Sequence, residues 1–206
     1  MANLIIKSSA DDLVLQGSDA SPAITVGATG VSTIANATIT AGTFPAGHVL
    51  QTVFYATTGQ PSVTAGNDAG TAFASLSTAF KKAITPTKNN SDILVTISMM
   101  VGSSTVGAHL FVQLYDNTNS VVLPSMNTQG HFGNYMTNNA GNTYGHIQIC
   151  GSFLYENPTI ASTPNSIEIE VKVAHHGGST FYLNRRGTDA TYGKLTSTIV
   201  LQEIAG

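Results

Sequence analysis

The segment SIEIEVKVAH, residues 166–175, alternates apolar and charged side chains almost without interruption. Successive side chains on a β-strand point to opposite faces of a sheet, whereas the apolar positions of a helix recur every three or four residues. The pattern therefore predicts a strand with its isoleucines and valines in a core and with Glu168, Glu170 and Lys172 in solvent. A chain that repeats this pattern must fold as sheets that cover each other's apolar faces.

Residues 48–206 contain further runs rich in β-branched and aromatic side chains, separated by turns that contain Gly, Asn or Pro. We predict strands at 48–58, 80–85, 92–102, 108–116, 146–156, 166–175, 179–184 and 195–205. The Asn- and Gly-rich stretch 116–146 is predicted to form long loops at one end of the domain. These features predict an all-β fold, a jelly-roll-like β-sandwich that forms the head of the protein.

The first part of the chain, residues 1–47, has a different composition. Short aliphatic bursts recur about every ten residues, and turn segments such as GSDASP separate them. A segment of this length does not bury a core alone, and it has no cysteine for a disulfide. We predict a short β stem in which three copies of the chain intertwine, with a hinge at GTFPAG, residues 42–47. The alternative is a flexible leader rich in Gly and Ser.

Charged side chains make up only 9% of the 206 residues, and the formal net charge is −3. A chain without a basic excess is not expected to bind nucleic acid. No apolar run approaches the ~20 residues that span a bilayer, and the start of the chain lacks the apolar core of a secretory signal. We therefore expect a protein made as a soluble cytosolic product, with no membrane insertion. The single cysteine, Cys150, lies in an apolar run and is predicted to be buried.

The window VAHHGGSTFYLNRRGTDATYG, residues 173–193, concentrates the residue types that carry chemistry in other proteins. His175 and His176 are adjacent, so on a strand they point to opposite faces and do not chelate one ion. The sequence HGG is predicted to be the turn of a hairpin that joins strand 166–175 to strand 179–184. We expect turn histidines, no metal and no cofactor, unless a threefold axis brings copies of these histidines together.

The adjacent Arg185 and Arg186 follow the second of these strands and hold a quarter of the chain's eight basic residues. Two interpretations stay open. One is structural, with an arginine that pairs with a carboxylate of a neighbouring subunit. The other is a binding surface for an anionic or hydroxylated cell-surface glycan, on which Tyr135, Tyr182 or Tyr192 supplies a stacking face.

No pattern of catalytic residues stands out in the sequence. GxSxG, HExxH, Walker and CxxC motifs are absent. The close acidic pairs are Asp11–Asp12, in a predicted turn, and Glu168 with Glu170, on one face of a strand. Glycosidase carboxylates instead face each other across a cleft, at roughly 5 to 9.5 Å. We therefore expect a protein that is not an enzyme.

Several segments resemble the C-terminal domains of tailed-bacteriophage fibres and related virion structural proteins, particularly those of marine and environmental phages. They are FPAGHVLQTV, KKAITPTKNNSDILVTISMMVGSS, STFYLNRRGT and the terminal LTSTIVLQEIA, of which the last is the most specific. The leader DDLVLQGSDASPAITVGATG is similar to the shaft segments that precede such heads. The resemblance covers most of the chain and is weakest in residues 116–146.

The resemblance implies a homotrimeric virion protein with an intertwined stem, residues 1–47, and a jelly-roll-like head, residues 48–206. It implies a short tail or head fibre that projects from the particle and binds the host surface through several weak sites at once. The alternative role is a capsid decoration (cement) protein that stabilises the head, and a third is a soluble lectin unrelated to virions. The expected partners are other copies of the chain, other phage structural proteins at tail, vertex or capsid, and a host cell-surface glycan.

Overall fold

The computed structural model describes most of the second half of the chain and part of the first. The described residues are 5–9, 12–16, 46–64, 73–76, 80–105, 109–123, 132–135, 145–156, 158, 165–175, 180–187 and 195–206. The chain divides into two compact units, Met1–Thr43 and Phe44–Gly206. Among the described residues there is no helix, and so none with the length and apolarity to cross a membrane.

The N-terminal unit contains an antiparallel strand pair. Strand β1 (Ile5–Ser9) pairs with β2 (Asp12–Gln16), with Ser9 opposite Asp12. These strands coincide with the first two aliphatic bursts of the sequence. The later bursts lie outside the described residues, and the intertwining of several copies stays a prediction.

The second unit is built from strands, as the sequence pattern predicts. In chain order they are β3 (Val49–Thr57), β4 (Ser62–Thr64), β5 (Ala74–Ser75), β6 (Lys81–Ile84), β7 (Asp92–Ser103), β8 (His109–Asp116), β9 (Val121–Val122), β10 (Phe132–Tyr135), β11 (Ile147–Tyr155), β12 (Ile167–His175), β13 (Thr180–Leu183) and β14 (Ser197–Ile204). Every strand predicted from the sequence has a counterpart here. The stretch 116–146 was expected to hold loops alone, and this expectation is wrong, because β9 and β10 add short strands there.

The first sheet is organised around β7, the longest strand. One edge of β7 pairs with β11 along residues 93–101. Its other edge pairs with β14 along residues 92–98 and then with β13 along residues 101–103. The outer edges of β14 and β13 pair in turn with β3 and β4. All of these pairs are antiparallel.

The second sheet is organised around β8 and β12, which pair with each other along most of their length. The other edge of β12 pairs with β6 and then with β5, and the other edge of β8 pairs with β9 and β10. The two sheets cover each other's apolar faces and form a β-sandwich. The predicted all-β sandwich is therefore confirmed.

The predicted hairpin of β12 and β13 is wrong. β12 belongs to the second sheet and β13 to the first, so the chain changes sheets between them. The physical reason is that both edges of β12 already have partners, β8 on one side and β5 with β6 on the other. β13 instead completes the edge of β7 that β14 leaves unpaired.

The core lies between the two sheets and follows the two-residue alternation. In β7 and β12 each inward-facing apolar side chain has no measurable exposure to solvent. Burying such a side chain contributes about 1.5–3 kcal/mol. The fully buried members on these two strands are Ile93, Val95, Ile97, Met99, Val101, Ile167, Ile169, Val171 and Val173.

The outer face of β12 departs from the prediction at one position. Glu170, expected in solvent, is only 7% exposed and accepts a hydrogen bond from the Ser75 hydroxyl of β5. Glu168 is partly exposed and pairs with Lys81 Nζ at 2.7 Å. The hydrogen bond from Lys81 lowers the pKa of Glu168. Lys172 lies over the Tyr115 ring, with its Nζ 3.0 Å from the ring centre. The charges of this face therefore have partners on neighbouring strands.

A polar contact joins the two sheets across the core. Asp116, at the end of β8, is fully buried and accepts a 3.0 Å hydrogen bond from the Tyr155 hydroxyl of β11. Its other bonds come from the turn that follows, namely from the amides of Thr118 and Asn119 and from Asn119 Nδ2. Burial, and next the charge of Asp116, raise the pKa of Tyr155 to about 12. The Tyr155 hydroxyl therefore keeps its proton and donates it to the hydrogen bond with Asp116.

Tyr155→Phe is expected to destabilise the chain by about 1–2 kcal/mol, because a buried carboxylate loses one of its donors. Urea unfolding followed by circular dichroism would measure this difference. Tyr115→Phe is the matched control, since it removes a hydroxyl from the outer side of the second sheet and leaves the ring beside Lys172. Equal stability of the two variants would contradict the inter-sheet role of the Tyr155 hydroxyl.

Candidate functional site

The two arginines follow β13 on the outer side of the first sheet. Tyr182 is an outward-facing residue of β13, and the guanidinium carbon of Arg185 lies 4.3 Å from the centre of its ring. Arg185 Nε donates a 3.2 Å hydrogen bond to the carbonyl oxygen of Arg186. All three side chains are half-buried. The structure thus brings together three of the surface residues selected from the sequence, and we call Tyr182, Arg185 and Arg186 the arginine cluster.

Two glycines let the arginine segment lie directly on the end of β7. A Cβ atom at Gly102 would stand 2.5 Å from the Arg185 carbonyl oxygen and 3.0 Å from the Arg186 Cα. A Cβ at Gly187 would overlap the Ser103 carbonyl oxygen. The backbone of the arginine cluster therefore occupies space that side chains would otherwise fill. This close approach fixes the position of the cluster at one end of the first sheet.

Asn184 turns the chain from β13 into the arginine cluster. Its φ is 56°, in the left-handed region, where asparagine is among the most tolerated non-glycine residues. Its side chain is fully buried, and Nδ2 donates to the carbonyl oxygens of Thr57 at 2.8 Å and Gly59 at 2.9 Å. These two carbonyls lie where β3 ends and the chain moves on to β4. One side chain therefore fixes both the turn after β13 and the break in the neighbouring edge strand.

The same asparagine fills a gap in the pairing of β7. The backbone N–H of Asn184 donates to the Met100 carbonyl at 2.7 Å, and the Met100 N–H donates to Ser197 Oγ at 3.0 Å. The Ser197 hydroxyl in turn donates to Asn184 Oδ1 at 2.6 Å. Met100 lies between the part of β7 that pairs with β14 and the part that pairs with β13. Asn184 and Ser197 are not among the residues selected from the sequence, although an Asn that follows a strand directly is a signal for a left-handed turn.

The other candidate residues lie elsewhere or outside the described part of the chain. Tyr135 is the last residue of β10 in the second sheet, and only its backbone is described. His175 is the last residue of β12 in the same sheet, again described by its backbone. Tyr192 and His176 lie outside the described residues. Tyr135 and Tyr182 therefore belong to strands of opposite sheets, and a role for these residues in binding or metal coordination stays a prediction.

The outer face of the first sheet carries a surface that the sequence analysis did not select. Its outward side chains form three rows across β3, β14, β7 and β11, and none of them is Asp, Glu, Lys, Arg or His. All are exposed or half-buried, and Phe54 is 59% exposed. We call these twelve residues the neutral face: Thr52, Gln202, Leu94 and Leu154; Phe54, Val200, Thr96 and Ser152; Ala56, Thr198, Ser98 and Cys150.

Polar side chains of the neutral face bond to one another across the strands. Thr96 Oγ1 and Ser152 Oγ lie 2.9 Å apart. Gln202 Nε2 lies 3.4 Å from Thr52 Oγ1. Gln148, the outward residue of β11 that borders the neutral face beside Cys150, donates from Nε2 to Ser98 Oγ at 2.8 Å. Because these polar atoms are bonded to one another, fewer of them need a water molecule as a hydrogen-bond partner.

The prediction that Cys150 is buried is wrong. Its side chain is exposed, because position 150 is on the outward side of β11, between the inward positions 149 and 151. The run around it reads as apolar on both faces, and only the register with β7 decides which residues enter the core. A signal for the neutral face was present in the sequence, since the outward positions of these strands lack the charges that β12 carries.

A buried carboxylate holds the opposite end of the first sheet. Glu203 of β14 is fully buried, and its Oε1 accepts hydrogen bonds from the amide and hydroxyl of Thr87 and from the Ser91 hydroxyl, at 2.7–2.9 Å. Gln51 Nε2 donates to Oε2 at 2.7 Å. Burial by itself raises the pKa of Glu203, but the bonds from Ser91, Gln51 and Thr87 outweigh it and hold the pKa below its usual value. Glu203 is therefore an ionised group held by uncharged donors.

Three of the segments that resemble phage fibre heads meet at this carboxylate. Gln51 belongs to FPAGHVLQTV, Thr87 and Ser91 to KKAITPTKNNSDIL, and Glu203 to the terminal LTSTIVLQEIA. The backbone supports the same junction, since the Gly47 N–H donates to the Ala205 carbonyl at 2.7 Å. These distant segments therefore combine as one structural unit.

Within the described ranges, no three His, Cys, Asp or Glu side chains converge as a metal site requires. The buried or paired acids described above are each engaged in the fold. Glu203 and Asp116 accept several hydrogen bonds from uncharged donors, and Glu168 is paired with Lys81. These carboxylates are therefore held in contacts that stabilise turns and strand ends.

The chain matches no protein-family model and no curated protein. Solved structures with similarity include the T=1 particle derived from infectious bursal virus, at 15% identity and a TM-score of 0.37, covering 98% of this chain and 44% of that one. Another is infectious bursal disease virus strain Gt, at 14% identity and a TM-score of 0.38, covering 98% of this chain and 47% of that one. A third is the VP2 subviral particle of infectious bursal disease virus, at 15% identity and a TM-score of 0.33, covering 98% of this chain and 46% of that one.

The chain spans less than half the length of each of these viral proteins. TM-scores below 0.5 do not establish a shared fold.

Two substitutions at Asn184 separate its backbone role from its hydrogen bonds. Asn184→Ala and Asn184→Gly both remove the bonds to Thr57 and Gly59, but only alanine is strained at a φ of 56°. We expect the alanine variant to be less stable than the glycine variant by about 1 kcal/mol. Chemical denaturation of both variants measures this difference. Equal stabilities would show that the turn is not under conformational constraint.

Glu203→Gln is expected to destabilise the chain by about 2–4 kcal/mol at neutral pH, because an amide cannot accept all the donors that surround the carboxylate. Because the folded-state pKa of Glu203 is lowered from 4.5, the ionised group stabilises the fold above that pH. This contribution is lost as the pH falls through the folded-state pKa. The stability difference between wild type and variant should therefore shrink below about pH 4.5, in urea titrations at several pH values. A difference that does not change with pH would contradict the ionised state of Glu203.

Proposed function

We propose that this chain is a structural, non-enzymatic protein of a bacteriophage particle. In this proposal it acts as a homotrimer and forms a short tail or head fibre. Residues 1–47 attach the protein to the particle and join the three copies, and residues 48–206 form a projecting head that binds the host surface. Its location is the virion, and its partners are other phage structural proteins and a host cell-surface glycan.

The observation that carries this proposal is the organisation of the chain. A unit with a strand pair, Met1–Thr43, precedes an all-β sandwich unit, Phe44–Gly206. The resemblance of the sequence segments to phage fibre heads implies this order of a β stem and a β head. The meeting of three of those segments around Glu203 supports the resemblance, because it gives them a shared physical task.

The state of the acidic residues supports a role without catalysis. General acid–base chemistry needs carboxylates or imidazoles that reach a substrate. Glu203 and Asp116 are fully buried and bonded to the surrounding chain, and Glu168 is held by Lys81 and Asn117. These groups stabilise turns and strand contacts, which suits a protein that works by presenting a rigid surface.

The arginine cluster is the candidate contact for the host surface. The Arg185 guanidinium lies over the Tyr182 ring, so a cation and an aromatic ring are in contact, and both side chains are partly accessible. Guanidinium groups bind anionic oxygens with directed hydrogen bonds, and aromatic rings stack on sugar faces. Three such clusters on one rigid trimer would bind a repetitive surface with higher avidity than a single cluster. The same chemistry would serve a carboxylate of a neighbouring subunit.

The place of the protein on the particle tests the main proposal. Immunogold labelling or a particle reconstruction is expected to locate the chain at the tail or at a vertex. Regular density at threefold positions of the capsid would instead assign the decoration role. Absence of the chain from purified particles would overturn the virion proposal in both forms.

Arg185→Ala is expected to weaken the binding of the purified protein to host cells about tenfold or more, because one charge-assisted contact per subunit is lost. Lys82→Ala is the matched control, since it removes one positive charge from a half-buried position in the second sheet. Cell binding is measured with fluorescently labelled protein and fixed host cells. If both variants bind as wild type does, the arginine cluster is not the receptor contact.

A further inference from the structure

The neutral face is unusual for a sheet surface exposed to solvent. On the outer side of the second sheet, β12 carries Glu168, Glu170 and Lys172 in alternation. The neutral face has twelve side chains across four strands and no ionisable group except the Cys150 thiol. The centres of protein interfaces are depleted of charge and enriched in aromatic side chains, whereas an ordinary exposed face is not. The neutral face shares the lack of charge with the centre of an interface, and Phe54 is an exposed aromatic side chain within it.

The hydrogen bonds within the neutral face lower the cost of covering it. A polar group that enters an interface without a partner loses its bonds to water and weakens the association. Here Thr96 is bonded to Ser152, and Ser98 accepts from Gln148, before any partner binds. These groups can leave water without losing their hydrogen bonds. The face is thus prepared for contact with a surface that offers few charges or donors of its own.

The face is large enough to form the centre of a protein interface. Four strands at ~4.8 Å spacing are about 20 Å wide, and three rows two residues apart are roughly 20 Å long. The resulting area of about 400 Å² in plan is roughly half of the ~800 Å² that one partner contributes to a standard interface. A small ligand would cover only a fraction of it.

We propose that a second copy of this chain binds the neutral face, so that this face is the main contact between head units. Only 9% of the residues of this chain are charged. A second copy therefore offers an opposing surface that would bury few unpaired charges against the face. Charges of opposite sign border the face, with Asp92 at one end of β7 and the arginine cluster at the other. Two copies can therefore align unlike charges. This inference rests on the proposed self-association of the chain, and not on its place on a particle.

A pair of lysine substitutions in one row of the face tests the proposal. Phe54 and Val200 are cross-strand neighbours with outward side chains. Phe54→Lys combined with Val200→Lys places two like charges in the proposed contact without entering the core. We expect the full-length wild type to sediment as an oligomer at micromolar concentration. Because the proposed contact between the stems remains, the double variant should dissociate at a protein concentration at least tenfold higher than the wild type does. Val121→Lys is the matched control, because Val121 is an exposed valine of the second sheet, and it should leave the oligomer intact.

Cys150 supplies a second, independent measurement. It lies on β11, three strands and about 15 Å across the sheet from β3, so the lysine at position 54 does not touch it. In the wild-type oligomer the thiol should react slowly with Ellman's reagent. In the double variant it should react at least tenfold faster, with an unchanged circular dichroism spectrum to show that the fold is intact.

Several results would overturn the proposal. A wild type that is monomeric at all concentrations would do so, and so would a double variant that stays oligomeric with a protected thiol. Equal thiol reactivity in wild type and variant would show that the face is not covered. A monomeric wild type whose binding to a neutral oligosaccharide is lost in the double variant would assign the face to sugar instead. An oligomer that is absent from phage particles would contradict the proposed function and leave this interface standing.

Discussion

The unbroken strand β7 is the constraint on which the rest of the sandwich depends. One of its edges is covered by β11, and the other changes partner from β14 to β13 part of the way along. At that change the backbone of Met100 would lack partners, and Ser197 and Asn184 supply them. Because Asn184 also binds the end of β3, a single buried side chain fixes the junction of four strand segments. The position of the arginine cluster follows from this junction, since its backbone lies against Gly102 of β7.

The few charged residues of the chain are distributed in a way that separates two tasks. Glu203 and Asp116 are buried and hold turns against strand ends, each with several hydrogen bonds. The charges of β12 have partners on neighbouring strands of the second sheet. This leaves the outer face of the first sheet without charge along most of its length. In such a protein the charged groups stabilise turns and strand contacts, and one broad uncharged surface is left for contact with another molecule.

The residues that the sequence placed wrongly share one physical cause. The position of Cys150 depends on the register of β11 against β7, and an apolar run without alternation does not specify that register. Glu170 is covered because the two-residue strand β5 pairs with β12 and brings Ser75 beside it. Ser75 and Glu170 are 95 positions apart in the chain. The supposed hairpin of β12 and β13 is separated because each strand has better partners in a different sheet. In each case the deciding neighbour is distant in sequence, so local patterns carry no record of it.

The sequence by itself determined the longer strands of the second unit, the inward faces of β7 and β12 and the position of the arginine pair after β13, but not the short strands β4, β5, β9 and β10. These features depend on alternation and turn chemistry, which are local properties of the chain. Only the tertiary structure decided which strands are neighbours, and therefore which outward residues form the neutral face and which donors surround Glu203. Hydrogen bonds between sheet strands and around a buried carboxylate join residues that are far apart in the chain, as Gln51 and Glu203 are, at a separation of 152 positions. Such contacts arise from the packing of whole sheets. This is the physical reason why the residues of the neutral face come together only in the folded chain.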